Sequence, residues 1–147
     1  MTRIAKRPPD ALVTIVADSW TRPYWDAARE GRLTCARCAD CHHFRMPPSP
    51  FCPHCRSQRL DWPTLPGTGT IYSYTIVERA VLPGTEGTIP YVPAVVTLDG
   101  ADGARLITNI VDCDVADIRI GRVVQAVFDT LDGGAGIPRF VLAEDGR

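Results

Sequence analysis

The sequence predicts a mainly β protein in which a short N-terminal helix and a small metal-bound ribbon precede a five-stranded barrel. Three observations carry this. Five of the six cysteines fall between Cys35 and Cys55. From Thr70 onward the chain reads as β-branched and aromatic runs separated by glycine and aspartate turns. Between these stretches lies Trp62-Pro63-Thr64-Leu65-Pro66-Gly67-Thr68-Gly69, a linker built from turn residues. The pieces are residues 1–34, a tail and helical segment; 35–62, the ribbon; and 63–147, the barrel.

The first piece opens with Arg3, Lys6, Arg7, Pro8 and Pro9, which reads as a mobile tail over residues 1–10. The apolar run Ala11 to Ala17 follows. It lies between Pro8-Pro9-Asp10 and Asp18, which is not the layout of a secretion signal, and it falls short of the ~18–20 residues of a membrane span. A cytoplasmic protein is expected. The helix comes next: Thr21 can cap it, Pro23 sits in the first turn where its missing N–H is harmless, and Gly31 can end it. Tyr24, Ala27 and Ala28 share one face with Trp25 beside them. A helix this short is marginal alone, so that face docks on its own barrel or on a partner.

The second piece holds C-A-R-C-A-D-C-H-H-F-R-M-P-P-S-P-F-C-P-H-C. Its simplest parse is two C-x-x-C knuckles, Cys38/Cys41 and Cys52/Cys55. Each tight turn points two sulfurs at one place, and two facing turns supply four thiolates to Zn²⁺ or to a rubredoxin-type Fe. A closed four-cysteine site is structural, because no coordination position is left for substrate. Cys35/Cys38 is a rival first knuckle, but Cys35 follows Gly31-Arg32-Leu33-Thr34 as though in a strand, where a thiol acts as a small buried apolar group. A ferredoxin cluster would need its fourth cysteine nearer than Cys52. His42, His43 and His54 each adjoin a better-placed cysteine and read as solvent-facing. A disulfide framework would suit a small secreted chain, which this does not resemble.

The third piece reads as strands over 71–79, 91–98, 105–111, 123–130 and 139–142. Asp99-Gly100 and Asp102-Gly103 turn the second into the third, and Asp112 to Arg119 form a helical turn before Gly121. Five strands with a turn between the third and fourth fit an OB-like barrel, with an open sandwich as the rival. Pro93 implies an edge or a bulge in the second strand.

Charge separates the pieces. Residues 31–60 carry five arginines against one aspartate, and residues 65–147 carry six arginines against eleven acids. Tyr72 and Tyr74 could stack bases, but the barrel is acidic and phosphate contacts dominate nucleic-acid affinity. Single-stranded nucleic-acid binding is therefore a secondary reading, as is a rubredoxin-like electron carrier. The arginines of the ribbon could hold a small polyanion such as the phosphates of a nucleotide-like cofactor. No G-x-S-x-G, G-x-G-x-x-G or H-E-x-x-H motif occurs. Cys113, flanked by Asp112 and Asp114, is a poor nucleophile because carboxylates disfavour its thiolate.

Several stretches together resemble one family. They are Pro23-Tyr24-Trp25-Asp26-Ala27-Ala28 with Gly31-Arg32-Leu33; the two knuckles, with Pro47-Pro48 before the second; Gly67-Thr68-Gly69-Thr70-Ile71-Tyr72-Ser73-Tyr74-Thr75; Pro90-Tyr91-Val92-Pro93-Ala94-Val95; and Ile120-Gly121 before Val123. The family joins an N-terminal helix, a rubredoxin-like zinc ribbon and an OB fold, and is known as domain of unknown function thirty-five. One departure is His42, where the family usually has glycine. The resemblance implies a non-catalytic accessory subunit of a thiolase-like or related acyl-CoA-processing enzyme, with CoA or acyl-CoA as ligand. With the charge clustering, it makes Arg37, Arg45 and Arg56 candidates for the CoA phosphates; the spacing already gives Cys38, Cys41, Cys52 and Cys55 as metal ligands, and the aromatic helix face of Tyr24 and Trp25 and the Pro93 edge are surfaces that a partner would cover.

Overall fold

In the computed structural model, which describes residues 2–144, eight strands form two sheets, preceded in the chain by one α-helix. The helix α1 spans Arg22–Arg29. The strands β1 (Ala36–Cys38), β2 (Phe44–Arg45) and β3 (Leu60–Asp61) make a small antiparallel sheet in the order β2-β1-β3. The strands β4 (Thr68–Tyr74), β5 (Val92–Leu98), β6 (Arg105–Ile110), β7 (Val123–Thr130) and β8 (Gly136–Leu142) close a barrel in the order β4-β5-β6-β8-β7. All its pairings are antiparallel except β6 with β8, which run parallel through Ile110 and Phe140. Five strands in that order, with a 3-10 turn at Val115–Asp117 between the third and fourth, are an OB fold. The sandwich is excluded by closure. No helix of the described residues is long and apolar enough to cross a membrane.

Alternation builds the barrel core. Along β5, Val92, Ala94, Val96 and Leu98 point inward and are buried, while Pro93, Val95 and Thr97 point outward. Ile71, Ile110, Val124 and Phe140 complete the interior, each such side chain contributing about 1.5–3 kcal/mol on burial. Pro93 does not mark an edge, since β5 pairs on both sides; the irregularity is a bulge in the neighbouring strand, between Ile71 and Ser73. The first five residues of β8 are all buried, and α1 packs against this strand. Gly136 is what permits this approach: a Cβ there would lie 2.5 Å from the carbonyl oxygen of Ala28.

The helix caps its own barrel. Tyr24, Ala27 and Ala28 are buried, so Tyr24 is not an outward anchor, and Trp25 packs edge-on to it at 4.9 Å between ring centroids. Thr21 is the residue before the helix but its hydroxyl caps nothing. Asp18 does the work instead: its carboxylate accepts from the backbone amides of Thr21 at 2.8 Å and Trp20 at 2.9 Å, which lowers its pKa. Gly31, at φ +76°, ends the helix as expected.

The N-terminal segment is not a free tail. Ala5 is buried in the core and its amide donates to the Cys113 carbonyl at 2.8 Å. Ile4 bridges to Asp114 and Lys6 to Tyr91. Arg7 then clamps two aspartates, bidentate to Asp112 at 2.6 and 2.9 Å and through Nε to Asp129 at 2.7 Å. Two of the positive charges that read as a tail thus pair with acids of the barrel, Arg7 with Asp112 and Asp129 and Arg3 with Glu78.

Candidate metal centre

The two knuckles are built alike. In the first, the Cys38 amide donates to the His43 carbonyl and the His42 amide to the Cys38 carbonyl; in the second, Cys52 donates to Ser57 and Arg56 to Cys52. The fifth residue of each turn takes the left-handed backbone conformation, His42 at φ +65° and Arg56 at +66°. This is where glycine is easiest, so His42 adopts the geometry that a glycine would supply. β1 delivers the first knuckle, and the loop between β2 and β3 delivers the second.

The result is a cluster of four sulfurs, those of Cys38, Cys41, Cys52 and Cys55, all within 4.8 Å of one another. Cys38 and Cys55 lie 3.5 Å apart, as do Cys41 and Cys52. With Zn–S bonds of ~2.3 Å, a tetrahedron has edges of about 3.8 Å, so the spacing and the all-sulfur donor set fit Zn²⁺. Backbone amides support the charge: Cys41 points its N–H at the Cys38 sulfur and His54 at that of Cys52. The Cys38 thiol is lowered to about 6, first by the Cys41 amide. Cys38 and Cys52 are buried, whereas Cys41 and Cys55 are exposed.

Cys35 stands outside the cluster. It is wholly buried beside Leu33 and Leu65 in the core, and burial pushes its thiol up to about 12. His42, His43 and His54 are exposed, with the rings of His43 and His54 facing each other at 4.5 Å. Cys113 is half-buried, its thiol pushed up to about 11 by burial and then by Asp117. Such a thiol is a poor nucleophile.

The three candidate arginines have different surroundings. Arg37 makes a bidentate pair with Asp61 across β1 and β3, both bonds 2.9 Å, and lies 6.0 Å from the Phe44 ring centre. Arg45 is buried and reaches the Ser57 carbonyl of the second knuckle at 3.4 Å, with Nε and Nη2 unpartnered. Arg56 is exposed on that knuckle. Charge density along the chain did not reveal that Asp61 faces Arg37 in the sheet. The buried Arg45 and Arg139, the second at the far end of the chain, were not legible as buried charges either.

Two family models match this chain, the ChsH2 rubredoxin-like zinc ribbon domain over residues 25–61 and the ChsH2 C-terminal OB-fold domain over 62–129. Over 134 residues the chain is 40% identical to a probable enoyl-CoA hydratase alpha subunit of Thermomonospora curvata, covering 89% of this chain but only 40% of that protein. It is 36% identical over 104 residues to a DUF35 domain-containing scaffold protein of Methanocaldococcus jannaschii, covering 69% of this chain and 72% of that one. A solved chain described as "Ltp2-ChsH2(DUF35) aldolase" superposes with a TM-score of 0.79 at 35% identity, over 89% of this chain and 100% of that chain.

Proposed function

From the premise that this chain belongs to the DUF35 family of zinc-ribbon and OB-fold proteins, we propose that it is a non-catalytic accessory subunit of a thiolase-like, acyl-CoA-processing enzyme in the cytoplasm. The observation that carries the reading is the match over 89% of this chain to the whole of a solved chain whose description pairs ChsH2 with Ltp2 in an aldolase. The likeness to a hydratase subunit and to scaffold proteins points the same way.

The site supports an architectural role. Cys38, Cys41, Cys52 and Cys55 would hold Zn²⁺ with all four positions filled by protein, so the ion ties two knuckles together and polarises no substrate. The surface has room for a partner. On the outer wall of the barrel Ile107 is 82% exposed and Tyr72 51% exposed, the latter with the Arg105 guanidinium 3.8 Å over its ring. Exposed aromatic and arginine side chains of this kind are favoured at interface centres. CoA phosphates would meet the ribbon at Arg56, and at Arg37 if it exchanges Asp61 for phosphate; Arg45 lies beneath the second knuckle and would brace it.

Purification of the tagged chain from its native host, followed by mass spectrometry, tests the partnership. Recovery of a thiolase-like subunit in stoichiometric amount, with turnover of an acyl-CoA only in the complex, is expected. A chain that brings down no acyl-CoA enzyme would overturn the reading.

A further inference from the structure

The outer wall of the barrel, helix α1 and the loop after β2 line an open-mouthed cavity of about 510 Å³, within the ~300–1,000 Å³ range of small-molecule sites. Its walls are apolar. Trp25 comes from the helix, Met46 and Pro47 from the ribbon loop, and Pro93, Ile107 and Ile137 from the barrel. The one charged residue among its lining is Arg139, only 5% exposed, with Asn109 beside it.

The neighbours of Arg139 leave its charge incompletely matched. Its Nη1 donates to Asn109 Oδ1, a neutral acceptor. Its Nε has no hydrogen-bond partner and lies 3.5 Å from Asp129 Oδ2. That same oxygen accepts a bond from Arg7 Nε at 2.7 Å, so Arg7 holds the carboxylate more closely. Arg7 also takes Asp112. The polar neighbour Thr108 is committed to the Pro138 carbonyl. A buried guanidinium met by one neutral acceptor and by an ion pair at 3.5 Å that it shares with Arg7 gains from a further anion that can reach it.

We propose that this cavity binds a hydrophobic monocarboxylate, its apolar body lying against Trp25, Pro47 and Ile107 and its carboxylate meeting the Arg139 guanidinium. This rests on the acyl-handling reading above only for the source of the acid, which would be the free acid of the acyl group that the complex handles. The chemistry of recognition is local to this chain, so it can be tested without a partner.

The test is calorimetric titration of the zinc-loaded full chain with decanoate and, separately, with uncharged 1-decanol, below their aggregation limits. One decanoate per chain is expected, bound at least tenfold more tightly than decanol. Arg139→Gln should remove that discrimination while leaving decanol binding in place. Ile107→Trp, at an exposed position on the wall, should weaken both ligands. A wild-type chain that ignores decanoate, or binds the two equally, overturns the proposal, as does an Arg139→Gln variant that keeps the preference. Should Arg139→Gln not fold, the wild-type comparison and Ile107→Trp decide. Capture of a partner enzyme has no bearing on these outcomes, so the two readings fail separately.

Discussion

Replacing Gly136 by alanine tests how closely the helix is pressed onto the barrel. The added Cβ would lie 2.5 Å from the Ala28 oxygen, 2.7 Å from its carbonyl carbon and 2.9 Å from the Arg29 nitrogen. All three are backbone atoms, so no side chain can rotate away. Ordinary contact begins at 3.4 Å, and α1 would have to retreat by about 0.9 Å. That loosens Tyr24, Ala27 and Ala28 against the barrel. Overpacking of this kind costs ~1–3 kcal/mol, a fall in Tm of roughly 3–9 °C for a chain of this size. Urea and thermal unfolding of the zinc-loaded protein would measure it. Gly87→Ala is the control, since nothing lies within 4 Å of a Cβ there; it should stay within about 0.5 kcal/mol of wild type. A Gly136→Ala variant as stable as that control would refute the packing argument, and with it the placement of Trp25 over the cavity.

Serine at Cys38, Cys41, Cys52 or Cys55 should lose the metal and loosen the ribbon, structural Zn²⁺ contributing ~10–16 kcal/mol of apparent binding energy in small sites; Cys35→Ser should keep one metal per chain by elemental analysis. Arg7→Ala should cost about 1 kcal/mol, after discounting for screening of a side chain 38% exposed, and should speed hydrogen exchange at the Ala5 amide. Arg37 holds the Asp61 carboxyl below its ordinary value of 3.8. A depressed carboxyl stabilises the fold above that value and stops doing so as the pH falls through its folded pKa, so Asp61→Asn should flatten acid unfolding below about pH 4. The same variant frees Arg37, and should strengthen calorimetric binding of CoA if that arginine meets phosphate.

The knuckles and the barrel were legible because their signals are local. Two C-x-x-C pairs need only tight turns, and β5 alternates so regularly that its bounds are read almost to the residue. Residue pattern puts the first barrel strand at 71–79, but it spans Thr68–Tyr74; its glycine at 69 resembles linker, although a Cβ there would lie 2.5 Å from the Thr97 oxygen. The last strand spans Gly136–Leu142 rather than 139–142; the pattern misplaces its start because Gly136 and Pro138 resemble turn residues. What sequence did not give was long-range. Ala5 and Arg7 both lie more than a hundred residues from Asp112, which they meet in one clamp, and Arg139 meets Asn109 only once the barrel closes. A charged stretch of tail says nothing of the aspartates waiting for it.

The likeness of the two knuckles has a consequence for engineering. Residues 38–44 and 52–58 use the same backbone bonds and the same left-handed fifth residue, so each is a seven-residue cassette with its own closing hydrogen bonds. Loop libraries can be written for one and transplanted to the other, with the two cysteines and a residue tolerant of positive φ held fixed. Within the first cassette Asp40 must stay, since its carboxylate accepts from Ser57 and from Arg59 and so ties the two knuckles together, while exposed Pro53 is the freer letter of the second.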